Sequence, residues 1–163
     1  MPQFTDMRRP ALWDDYELSA YRAAANGGQT HVRTVVVGYD GSEGARRALI
    51  PAAEAAGTGG HVVVVIAVPP AESLAQEQRG SRFGDPERLL EQASVLLRGH
   101  NVEITTRVED AEPAEALVAA ACDTDAALIV VGARGDSYVT RALRGSVGEK
   151  LVGRAPCDVL IAR

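Results

Sequence analysis

Residues 128 to 147 read LIVVGARGDSYVTRALRGSV, and few folds accommodate such a stretch. Leu128-Ile129-Val130-Val131 is short, β-branched and free of polar residues, the pattern of a strand buried on both faces of a parallel sheet. Gly132 and Gly135 end it, and glycine there permits positive φ and close approach to backbone N–H groups. Gly145 then precedes Ser146-Val147-Gly148-Glu149, the Ser-x-x-Glu form of a helix start. Such a helix turns free N–H groups and the positive end of its dipole toward the same crevice, so the stretch suits an anion. A plain strand-to-loop turn followed by a capped helix, with Ser146 satisfied by backbone, explains the two nearer glycines equally well. No Gly-Lys-Ser/Thr follows, so this is not a P-loop.

The remaining strand signals are of the same kind. Thr34 to Val37 and His61 to Val68 are apolar runs, the second ended by Pro69-Pro70. Asn101 to Val108 alternates Val102, Ile104, Thr106 and Val108, the mark of a half-exposed strand at a sheet edge. A last short strand, Val159-Leu160-Ile161, follows Pro156. Helical patterns fill the intervals: one capped by Ser42 and carrying Pro51, expected to bend or loosen it. A second starts at Asp85-Pro86, a third starts in the stretch Glu109-Asp110-Ala111-Glu112-Pro113-Ala114 and runs to about Cys122, and a fourth runs from Ser146 to about Gly153. Five strands alternating with four helices predict an α/β domain with a parallel sheet and right-handed crossovers.

At 163 residues the chain is long enough for one domain and a short appendage, here residues 32–163 and 1–31. In the appendage Trp13, Tyr16, Ala20 and Ala24 recur at helical spacing before Gly27-Gly28, which predicts one amphipathic helix. It carries the single tryptophan, so it reads as docking on its own domain, on a dimer partner, or on another protein, with a disordered leader as the alternative. A net charge of −5 argues against general affinity for nucleic acid. No run reaches the roughly 20 apolar residues that span a bilayer, and Arg8-Arg9 is followed by no apolar export segment. The expected location is the cytoplasm. There Cys122 and Cys157, which form no CxxC pair, read as reduced packing residues. The acidic run from Glu109 to Glu112 is explained by the following helix start without a metal.

Asp40 closes the turn Gly38-Tyr39-Asp40-Gly41-Ser42 at the carboxyl end of a strand, where open α/β sheets place ligands. Its carboxylate either caps local backbone or accepts from a ligand donor such as a ribose hydroxyl. Val-Gly-Tyr-Asp-Gly-Ser, Ala-Leu-Ile-Val-Val-Gly-Ala-Arg-Gly and Gly-Ser-Val-Gly-Glu-Lys, with Ala-Pro-Cys-Asp-Val-Leu after them, stand in one order and spacing. Together they resemble the universal stress protein family, in its ATP-binding branch, over residues 32–163.

The resemblance implies a Rossmann-like five-stranded parallel sheet of order 3-2-1-4-5 with helices on both faces. It implies a nucleotide site of Asp40 and Gly41 at the nucleoside, Ala67 and Val68 at the adenine edge, and Val131, Gly132, Gly135, Gly145, Ser146 and Val147 toward the phosphates. The ligand implied is ATP, with Mg²⁺ held through its phosphates, and the assembly implied is a homodimer through the last strand. Related sequences often carry glycine where this chain has Ala111. The expected function is a stress-response protein whose nucleotide occupancy controls a partner or an oligomer, with no catalytic residue. A slow ATP hydrolase and a nucleotide-free interaction module of the same fold are the alternatives.

Overall fold

The computed structural model describes residues 12–13, 33–70, 85–133 and 147–163. Six strands form one parallel sheet: β1 (Leu12–Trp13), β2 (Thr34–Gly38), β3 (Gly60–Ala67), β4 (Val102–Glu109), β5 (Leu128–Gly132) and β6 (Asp158–Ala162). Their spatial order is β1-β6-β5-β2-β3-β4. The last five strands therefore stand in the expected 3-2-1-4-5 order, with β1 added outside β6. Between them lie α1 (Glu43–Ala56), α2 (Pro86–Leu97), α3 (Pro113–Thr124) and α4 (Val147–Val152).

The valine runs need two apolar faces because helices cover both sides of the sheet. Val35 and Val37 of β2, with Val62, Val64 and Ile66 of β3, pack beneath α1 and α2. Val36, Val63, Val65, Ile129 and Val131 point the other way, toward α3 and α4. Burying each such side chain contributes about 1.5–3 kcal/mol, so the sheet centre dominates the stabilisation. Alanine lines the sheet-facing side of α1 at Ala45, Ala48, Ala52 and Ala53, which lets that helix lie close to β2 and β5. Pro51 does not break it: the helix continues to Ala56 and ends at Gly57, φ 75°.

β4 is the edge foreseen from its alternation, with Val108 44% exposed. Arg107 on it reaches Glu109 at 2.8 Å and Asp123 of α3 at 3.0 Å, and His61 Nε2 lies 2.7 Å from Thr105 Oγ1 across the β3–β4 pair.

The opposite edge differs from expectation in two ways. Trp13, expected on a helix, lies in a strand; the rest of that expected helix falls outside the described residues. Leu12 pairs with Val159 and Trp13 with Leu160, so the last strand is not the open edge its sequence suggested. The reason is physical: β6 has apolar residues and no proline, so its unpaired backbone groups accept the nearest extended segment. Part of the appendage thereby docks on its own domain.

Cys157, just before β6, is a free thiol, as is Cys122. Burial, reinforced by the nearby Asp158 carboxylate, pushes the Cys157 thiol up to about 11. The folded value lies above the unfolded one, so this contribution to stability is complete below the ordinary thiol range and is lost as pH rises through about 11. Urea midpoints taken from neutral pH to pH 11 are expected to fall more steeply for the wild type than for Cys157→Ala; parallel curves would show that the thiol is not sheltered.

Candidate functional site

The site grows out of the turn after β2. Ser42 caps α1 by accepting from Ala45 N–H at 3.2 Å, and its C=O accepts from Arg46 N–H at 3.0 Å. Asp40 Oδ1 accepts from Ser42 N–H at 2.9 Å. Asp40 is thus a backbone cap, one of the two roles its sequence left open. A carboxylate has about four acceptor positions, so this bond leaves room for a ligand donor on an exposed side chain. Gly41 has φ +78°, which L side chains rarely adopt, and a Cβ on it would press on Leu89 of α2. The turn is therefore held by α1 in front and α2 behind.

Strand alternation settles which backbone groups face this turn. The last rung between β2 and β3 joins Gly38 to Val65, and Tyr39 N–H donates to Val65 C=O at 2.9 Å. Val65 therefore faces β2, Ile66 faces β4, and Ala67 faces β2 again, one step past the end of that ladder. Val68 faces away: its N–H donates to Glu109 C=O at 2.8 Å. Of the two residues expected at an adenine edge, Ala67 turns its backbone toward Asp40, whereas the Val68 amide is engaged by β4.

The same reasoning applies at β5. Ala133 N–H donates to Ala162 C=O at 2.7 Å, so Ala133 and Val131 turn their backbone groups toward β6. Gly132 faces β2, beyond the last rung at Val37 and Val130. Val131 gives its side chain, 7% exposed, to the core under α3 and α4. The structure thus brings Asp40, Gly41, Ala67 and Gly132 around the carboxyl end of β2. That end is the topological switch point, because the chain leaves β2 toward β3 and later returns on its other side to form β5.

Gly132 owes its bareness to more than a ligand. A Cβ on it would fall inside the backbone of Gly44 in the first turn of α1, and one on Gly44 would fall inside the Ala133 carbonyl. Sequence reasoning missed Gly44. The available signal was a glycine within a helix, where it costs about 1 kcal/mol relative to alanine and so asks for a reason. Beside the turn, Tyr39 is 3% exposed and its hydroxyl has no partner among the described residues.

Val147 opens α4, half-buried against the α3 face. Gly135, Gly145 and Ser146 lie outside the described residues. Lys150 sits 3.9 Å from Glu112, and Arg154 lies 3.5 Å from Glu115, pairs that tie α4 to α3. Among the described residues no cluster of three or more His, Cys, Asp or Glu side chains is placed to hold a metal, and no helix is long and apolar enough to cross a membrane.

The carboxyl end of an open parallel sheet, at its switch point, is where α/β domains place their ligands, and here it presents backbone donors, acceptors and one carboxylate. Comparison with known proteins narrows the class. The family model of the universal stress protein family matches residues 31–163. A universal stress protein of Thermus aquaticus is 36% identical over 137 residues, covering 80% of this chain and 98% of that one. Universal stress protein Rv1636 of Mycobacterium tuberculosis is 33% identical over 140 residues, 79% of this chain and 94% of its own. Among solved structures, a universal stress protein in complex with cAMP superposes with a TM-score of 0.62 at 30% identity, covering 80% of this chain and 96% of that one. This chain belongs to the universal stress protein family.

Proposed function

We propose that the chain binds an adenine nucleotide, ATP with Mg²⁺ in the first instance, and that occupancy rather than turnover is its output, controlling a partner or an oligomer in the cytoplasm. The observation that carries this reading is the convergence of Ala67, Asp40 and Gly132 on the end of β2. The relative solved with cAMP supports the nucleotide class. The residues fit such a ligand. Ala67 offers a donor and an acceptor to a base edge, Asp40 an acceptor to a ribose hydroxyl, and Gly132 an amide toward phosphate. Gly135, Gly145, Ser146 and Val147 would supply further phosphate contacts, and Mg²⁺ would be held through the phosphates.

Slow turnover follows from what the described residues bring to the crevice, which is backbone amides and the Asp40 carboxylate. Rapid phosphoryl transfer wants fixed cations on the γ-phosphate and a group that orients water. The single lysine, Lys150, lies on α4 with its ammonium 3.9 Å from the Glu112 carboxylate. A homodimer through β6 fits the bare chemistry of that strand, provided β1 yields the edge. The remainder of the appendage is then available to a protein partner.

Mass spectrometry of small molecules released on denaturation is expected to find an adenine nucleotide, and calorimetry on ligand-free protein is expected to show heat with ATP. Silence with ATP, ADP and cAMP alike would overturn the reading.

A further inference from the structure

We infer that Gly44 is a positioning residue for the nucleotide: it sets the separation between the nucleoside contact at Asp40 and the phosphate-facing amide of Gly132. The inference rests on the nucleotide reading above. Its geometry is reciprocal. The missing Cβ of Gly44 is replaced by the Ala133 carbonyl, and the missing Cβ of Gly132 by the backbone of Gly44 and Ala45. Two main chains therefore touch where α1 begins and β5 ends, with no side chain between them to deform.

The contact reaches Asp40 through fixed bonds. Asp40 Oδ1 holds Ser42 N–H, Ser42 Oγ holds Ala45 N–H, and the Ser42 carbonyl holds Arg46 N–H. On the far side, Ala133 N–H is held by Ala162 of β6. The Asp40 turn is thus tied to the first turn of α1, the end of β5 is tied to β6, and the two halves meet where Gly44 lies against Gly132 and Ala133. Gly44 itself touches no ligand. A methyl group there must push α1 from β5 by a distance of order 1 Å, since backbone on both sides cannot rotate away.

A ligand that spans both halves loses more from such a shift than one that meets a single half, because misplacement of about 1 Å is felt steeply in a preorganised site. Gly44→Ala is therefore expected to lower ATP affinity by on the order of tenfold relative to adenosine affinity, with adenosine itself little changed. Calorimetric titration of both ligands against wild type and variant reads this ratio. A purely structural role for Gly44 would shift the melting temperature and leave the ratio alone, and that result would overturn the inference. If the wild type binds neither ligand, the nucleotide reading fails and the inference with it.

Should Gly44→Ala not fold, hydrogen exchange on the wild type decides the matter. Saturating ATP is expected to slow the Ala45 and Ala133 amides together, and adenosine to slow Ala45 alone. Independent behaviour of the two amides under ATP would overturn the seam.

Discussion

Gly132→Ala is expected to destabilise the ligand-free protein by up to about 3 kcal/mol, before any nucleotide is considered. The added Cβ would fall within the backbone of Gly44, and only displacement of α1 or of the β5 end relieves it. Overpacking against a flexible side chain is cheap, but a helix backbone fixed by the Ser42 cap and by burial of Ala48 and Leu49 in the core has no easy route out. Gly153→Ala is the matched control, since nothing lies within 4 Å of a Cβ there. Urea unfolding of both variants without ligand tests this. A Gly132→Ala midpoint equal to that of the wild type would mean that the glycine serves the ligand alone.

The fold was legible because its signals are local. β2, β3 and β5 are β-branched runs without a polar break, which buried parallel strands require. The Asp85 and Ser42 caps, both observed, mark helix starts within a few residues of sequence. Asp40 and Gly132 could be placed at neighbouring strand ends because the family resemblance implied the strand order; crossover handedness alone leaves several orders open.

What escaped depends on contacts between distant residues. Nothing near Gly44 announces that β5 will press on it, and nothing near Val68 says that β4 will take its amide. Trp13 and Tyr16 have helical spacing, yet an unfilled strand edge claimed Leu12 and Trp13. Backbone pairing is blind to side-chain periodicity, so the hydrophobic pattern gave no warning.

That edge leads to the other large effect: a chain beginning at residue 32 is expected to dimerise at roughly ten times lower concentration than the full chain. β1 satisfies outer backbone groups of β6 through its pairing with Val159 and Leu160. Deleting it returns those groups to water, and a second copy of β6, related by a two-fold axis, satisfies them again. A few ladder hydrogen bonds worth about 0.5–1.5 kcal/mol each are enough for a shift of that size. The contact can be tested for location as well as existence. Ala162 turns its carbonyl toward β5, so alternation turns Ile161 toward the outer edge. Ile161→Pro in the shortened chain removes an outer donor while sparing the β5 ladder, and proline is tolerated on an edge strand. Sedimentation is expected to show the shortened chain as a dimer and its Ile161→Pro variant as a monomer. If both remain dimeric, the association uses another surface; if the shortened chain is as monomeric as the full one, covering the edge is not what β1 contributes.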